Sequence, residues 1–115
     1  MKIKNKSIFF DIDNTICITY KSQYKKSRPK KKMIKIINKL YENNKVVFYT
    51  ARYMGRYKGN KLKVMKKYKE TNNQLIKWGF KFHKLIMGKP RFDYLFDDKA
   101  YNTKEKFFKN FVKKI

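Results

Sequence analysis

Apolar residues along this chain fall into two rhythms that alternate from one end to the other. Short continuous runs at 7–12 (SIFFDI), 45–50 (KVVFYT), 84–88 (KLIMG) and 93–97 (DYLFD) have the length and the β-branched and aromatic content of strands. Between them the spacing changes. Met33, Ile36, Ile37, Leu40 and Tyr41 recur at steps of three and four, which places them on one face of a helix ending near Asn43 and Asn44. Leu62, Met65, Tyr68, Leu75 and Ile76 mark a second amphipathic helix that stops near Trp78 and Gly79, the glycine suiting a helix C-cap. Phe108, Phe111, Val112 and Ile115 form the apolar stripe of a last helix, with Asn102 and Glu105 at the spacing of a capping box. The polar, basic stretch from 13 to about 32 carries neither rhythm, and its structure is not predicted. Strands alternating with helices give an α/β protein, and 115 residues are enough for one domain with one core.

Composition narrows the class. A hydrophobic share of 42% and an aromatic share of 17% exclude a disordered basic tail, although the formal charge is +24. The basic start, Lys2, Lys4 and Lys6, precedes an apolar run as in a signal peptide, but Asp11 and Asp13 interrupt that run; no stretch is long and apolar enough to span a membrane. A single cysteine, Cys17, excludes an internal disulfide and fits a reducing, cytoplasmic setting, where it reads as a small packed side chain. The charge has two readings. Twenty-eight of the 32 basic residues are lysines in a chain also rich in Asn, Ile, Tyr and Phe, a mixture expected of an AT-rich coding sequence. Alternatively, the lysine-rich runs 24–32 and 56–69, interleaved with tyrosines, form a surface for nucleic acid. On either reading a field this positive concentrates phosphorylated substrates.

Strands joined through helices by right-handed crossovers lie parallel, so the loops that follow them gather at one edge of the sheet, where ligands bind. Asp11 and Asp13 follow the first strand, Thr50 ends the second, Lys89 follows the third, and Asp97 and Asp98 end the run at 93–97. Four of the eight acidic residues thus converge on one site. Asp13-Asn14-Thr15 alone also suits a turn or cap, and Asp97-Asp98 alone a solvated turn. Clustered carboxylates repel, and Mg²⁺, which takes one or two carboxylates together with water and phosphate oxygens, relieves that repulsion.

In order and spacing, FDIDNT, YTARYM, GKP and FDDKA resemble the four motifs of the haloacid dehalogenase-like (HAD) phosphatase superfamily over residues 7–101, and YTARYM with GKPRFDYLFDDKA is most similar to small phosphatases associated with capsular polysaccharide biosynthesis. The resemblance implies a Rossmann-like, doubly wound parallel sheet in a single HAD core domain over 1–115. It implies that Asp11 is the nucleophile, forming an aspartyl-phosphate, and that Asp13 is the general acid and base. Thr50 would hold a phosphoryl oxygen, with Arg52 touching the substrate, and Lys89 would balance charge on Asp11 and on the phosphoryl group. Mg²⁺ would be held by Asp11, the backbone carbonyl of Asp13, Asp97 and Asp98. His83 reads as a strand-flanking residue and Trp78 as core. The gaps between motifs are consumed by core helices, so the enzyme is capless, with an open site or with a wall borrowed from another subunit of a homo-oligomer.

The expectation is a Mg²⁺-dependent phosphomonoester hydrolase acting on a phosphosugar or a related intermediate of polysaccharide biosynthesis. A nucleotide or nucleic-acid end phosphatase is the alternative that the charge favours. A non-catalytic basic module that binds nucleic acid on the same fold is the third, and Asp13 argues against it, because a silent descendant has no need of a general acid.

Overall fold

A computed structural model of the chain describes residues 2–115. Three parallel strands make its central sheet: β1 (Ser7–Phe10), β4 (Lys45–Thr50) and β5 (Lys84–Met87), in the order β1-β4-β5. A two-stranded antiparallel flap, β2 (Cys17–Ile18) with β3 (Arg28–Pro29), follows β1, and a turn of 3-10 helix at Tyr24–Lys26 lies between its strands. The helices are α1 (Lys31–Tyr41), α2 (Lys61–Met65), α3 (Tyr68–Trp78) and α4 (Lys106–Val112).

The central strand β4 is the most apolar, and its pairing explains why. Val46, Val47 and Phe48 are buried between Ile8, Phe9 and Phe10 of β1 on one side and Lys84 and Leu85 of β5 on the other. Parallel strands covered by helices lose their polar face, so such strands read as unbroken apolar runs. The three-and-four pattern of α1 buries Met33, Ile36, Ile37 and Leu40 as its spacing predicts. Gly79 ends α3 with φ 95°, donating its N–H to the carbonyls of Leu75 and Ile76. That left-handed conformation is open to glycine at little cost. His83 flanks β5 as expected: its Nδ1 accepts the N–H of Val46 at 3.0 Å, its own N–H donates to the Val46 carbonyl at 2.9 Å, and its ring stacks on Tyr41. Cys17 is buried, and burial pushes its thiol above the ordinary range, as for an inert packed cysteine.

Three expectations are corrected. The segment 93–97 forms no strand: 88–105 holds neither helix nor strand, and Tyr94, Leu95 and Phe96 are exposed. One side of β1 therefore carries no partner strand, and Phe9 is 54% exposed there. The sheet accordingly runs in one direction only, from β1 to β5, as a three-stranded parallel α/β layer. The helix expected over 62–78 is two helices, α2 and α3. Asn60 starts the first by accepting the Lys63 N–H, and the break at Lys66–Lys67 shifts the phase, so that Leu62, Met65 and Ile76 are exposed while Val64, Thr71 and Leu75 are buried. Asn102 and Glu105 form no capping box. Asn102 Oδ1 accepts the Lys104 N–H in a turn, and α4 begins one residue after Glu105.

Candidate active site

Parallel pairing places the ends of β1 and β4 side by side, with Phe10 opposite Phe48, so the residues that follow each strand emerge together. Asp11, Asp13, Thr50 and Arg52 line one cleft of about 220 Å³. The ladder continues one step past β5: the Lys89 N–H donates to the Thr50 carbonyl at 3.1 Å. This brings Lys89 Nζ to 3.7 Å from Asp11 Oδ1. Thr50 is buried, and its hydroxyl accepts the Arg52 N–H at 3.1 Å, which holds the turn after β4.

The two carboxylates differ. Asp11 is half-buried, and that desolvation raises its carboxyl above the ordinary aspartate value, an effect that the charge of Lys89 and the Ile12 N–H oppose. Among the described residues its only ion pair is the long one to Lys89. Asp13 is gripped. Arg52 Nη2 donates to its Oδ1 at 2.9 Å and Arg52 Nε to its Oδ2 at 3.0 Å, while the Thr19 hydroxyl donates to Oδ1 at 2.6 Å. The Arg52 side chain is 1% exposed while Asp13 keeps a face open to the cleft, and a fork-on-carboxylate contact made from a buried guanidinium is strong and geometrically specific. Oδ2 is the less encumbered oxygen, since Oδ1 takes both the Arg52 Nη2 and the Thr19 hydroxyl.

Arg52 also joins the site to the flap. Its Nη1 donates to Gln74 Oε1 at 2.6 Å, and Gln74 Nε2 donates to the Tyr24 carbonyl at 2.8 Å. Its guanidinium lies 5.0 Å from the centre of the Tyr24 ring. The flap is fixed from within by the Thr19–Ser27 hydroxyl pair at 2.6 Å and by the Lys30 N–H on the Ile16 carbonyl at 2.9 Å.

Of the residues singled out from sequence, Asp11, Asp13, Thr50, Arg52 and Lys89 come together, although Arg52 faces Asp13. Asp97 and Asp98 stand apart, in the exposed segment 90–102: Asp97 Oδ1 accepts the Lys99 N–H, and the Asp98 carbonyl accepts the Tyr101 hydroxyl. Among the described residues no three His, Cys, Asp or Glu side chains gather as a metal site. Sequence reasoning missed Lys21, Ser22, Tyr24, Gly55 and Arg91, which complete the cleft, and Gln74, which braces it. Gly55 belongs there because the Arg91 guanidinium lies directly over its Cα, in the space a side chain would fill. One signal was available: in a chain with only four arginines, three of them, Arg52, Arg56 and Arg91, stand in or beside this cleft.

No family model matches the sequence, and no curated protein matches it. The fold is similar to a crystal structure of a structural-genomics target from Vibrio cholerae, with a TM-score of 0.76 and 23% identity over 93% of this chain and 87% of that one. The chain therefore shares its α/β fold with that bacterial protein.

Proposed function

We propose that the cleft hydrolyses phosphate monoesters through an aspartyl-phosphate, as the motif resemblance to HAD phosphatases implies. The observation that carries this is the pairing of Asp11, nearly free of partners, with Lys89 at 3.7 Å, beside a second carboxylate held in one orientation. Asp11 attacks phosphorus, so that an Asp11–phosphorus bond forms as the bond to the leaving oxygen breaks, and Asp13 Oδ2 gives that oxygen its proton. Asp13 then takes a proton from water, whose oxygen attacks phosphorus and releases phosphate and the Asp11 carboxylate. Thr50 and Lys89 stabilise charge on the phosphoryl oxygens.

Mg²⁺ is part of this proposal: the accessible Asp11 carboxylate and the Asp13 backbone carbonyl would hold it, with water and phosphate oxygens completing its shell. The Asp13 carboxylate is taken by Arg52 and Thr19, and Asp97 and Asp98 lie in the exposed segment, not gathered with Asp11 in this structure. The doubly wound sheet belongs to the same proposal: a fourth parallel strand at 93–97 on the open side of β1 would carry Asp97 to the level of Asp11. The apolar groove of about 650 Å³ between β1 and α4, lined by Phe9, Phe107 and Phe111 among others, supports that placement.

Phosphate release from glucose 6-phosphate and from an aryl phosphate, by wild type and by Asp11→Asn, tests the reading. Turnover by wild type that Asp11→Asn abolishes is the expected result. No turnover, or residual activity within about tenfold of wild type, would overturn it.

A further inference from the structure

The active-site cleft has a second cleft beside it. Ser22 and Tyr24 line both, and beyond them lies a cleft of about 450 Å³ walled by Lys25, Lys26, Arg56 and Lys67, with Tyr53 among them. Its cations are out of balance with its acids. Glu70 answers Lys25 at 3.3 Å, accepts the Tyr53 hydroxyl and feels the charge of Lys67, whereas Lys26, Arg56 and Lys67 make no direct ion pair with a carboxylate among the described residues. On the active-site side, Lys21 and Arg91 line the wall in the same condition.

Two of these cations, Arg56 and Lys67, are held in place. The Arg56 guanidinium lies 4.8 Å from the Tyr53 ring centre and 5.7 Å from that of Tyr24, and it donates to the Ser22 carbonyl at 2.9 Å. Lys67 Nζ lies 5.4 Å from the Tyr53 ring centre. Tyr53 is almost fully buried, so it is a rigid support for both. A solvated lysine face needs neither concavity nor buried rings under its charges. The choice of residue points the same way: arginine, rare in this chain, is the side chain whose planar fork matches phosphate oxygens.

We infer that the substrate carries a second phosphate group, monoester or diester, that seats in this basic cleft while its terminal phosphate meets Asp11. The inference rests on the phosphomonoester reading of the first cleft and names its substrate class. The tyrosines do not act as platforms for bases, because the Tyr24 and Tyr53 rings are already taken by Arg52, Arg56, Lys67 and Tyr57. Recognition therefore follows phosphate number rather than base identity. A sugar bisphosphate and the 5′-phosphorylated end of a nucleic acid share that chemistry.

The test is equilibrium binding by calorimetry to the full chain carrying Asp11→Asn, so that affinity is read without turnover. Two pairs of probes are compared at 50 mM salt: glucose 6-phosphate with glucose 1,6-bisphosphate, and 5′-phosphorylated thymidine with its 5′-phosphorylated dinucleotide. The second phosphate is expected to tighten binding about tenfold, the size of one charge-assisted hydrogen bond, in at least one pair. A gain confined to one pair assigns the substrate to that source. Adding Arg56→Gln and Lys67→Gln should remove the gain. Lys26→Gln, at an exposed position that leaves both tyrosine rings as they are, should reduce it, and a melting curve identifies any variant that fails to fold. Equal affinity within both pairs overturns the inference, as does a gain that survives in folded variants. Phosphate release by wild type is scored separately. Release without the gain sinks only the second subsite, and the gain without release sinks only the hydrolase reading.

Discussion

Asp11 and Asp13, two positions apart, have been given opposite environments, and each environment has a measurable consequence. Asp11 is half-buried with its carboxyl raised, so ionising it costs the folded state energy. A carboxyl raised on folding contributes stability that is present at low pH and is lost as pH rises through its raised value. Asp11→Asn, nearly isosteric and uncharged, should therefore raise the melting temperature at pH 7 in EDTA while abolishing turnover, and the gain should vanish near pH 3. A variant less stable than wild type at pH 7 would show that the Lys89 contact outweighs burial. Glu70 has the opposite sign. Its desolvation is outweighed by donors from Tyr53 and Lys25, which hold its carboxyl below the ordinary glutamate value. Its contribution is present at neutral pH and is lost as pH falls through that lowered value. Tyr53→Phe removes one donor from a buried ring, and the expected loss at pH 7 in urea unfolding is about 1–3 kcal/mol, smaller in acid. An unchanged midpoint would mean that the hydroxyl contributes nothing net.

At the scale of elements, what sequence could and could not reveal divides by the kind of constraint. α1 and β4 were legible because one apolar face or one unbroken run records their burial directly. Asp11, Asp13, Thr50 and Lys89 were legible as strand-end residues because parallel order alone aligns those ends. The flap was not, since two strands of two residues each carry no periodicity and are held by Thr19, Ser27 and Gln74 instead. Nor was the role of Arg52, which depends on a contact across 39 positions. The run at 93–97 has the composition of a strand and is none, because composition records propensity and not whether a partner edge is taken up. Hydrogen exchange decides whether that edge is used: with Mg²⁺ and inorganic phosphate, amides 93–97 should become protected if the fourth strand forms. Full exchange there, or undiminished phosphate release in EDTA, would remove both the doubly wound sheet and the metal from the proposal. Gly79→Ala tests α3 more simply. The left-handed φ of 95° should cost about 1–2 kcal/mol, whereas the nearest atom, Ile34 Cγ2 at 4.0 Å, leaves room for a methyl group.

The whole molecule carries +24 on 115 residues, with three ion pairs among the described side chains. Self-repulsion of that size opposes compaction, and salt screens it, with a Debye length of about 10 Å at 0.1 M. Stability should therefore rise as NaCl goes from 10 to 300 mM. Binding of any polyanion should weaken over the same range, since affinity gained by displacing counterions is lost as those ions are added. A folded state that loses stability with added NaCl would show that the few ion pairs, rather than the net charge, govern its response. No helix among the described residues is long and apolar enough to cross a membrane.

The hydrogen bond from the Lys89 N–H to the Thr50 carbonyl also governs how this site can be inherited. The two residues are aligned by the backbone ladder and not by contact between their side chains, so their geometry survives almost any change of neighbouring side chains, including a wholesale drift toward lysine. It does not survive a change of frame. Gly88, at φ 85°, makes the left-handed turn that presents Lys89, and one residue inserted between Met87 and Lys89 would carry the ammonium group away from Asp11. Descendants of this chain can therefore diverge freely in letters while the spacing from Lys84 to Lys89 stays fixed. A single-glycine insertion after Gly88 should leave a folded protein without activity, whereas conservative replacements throughout Lys84–Met87 should leave one that still works.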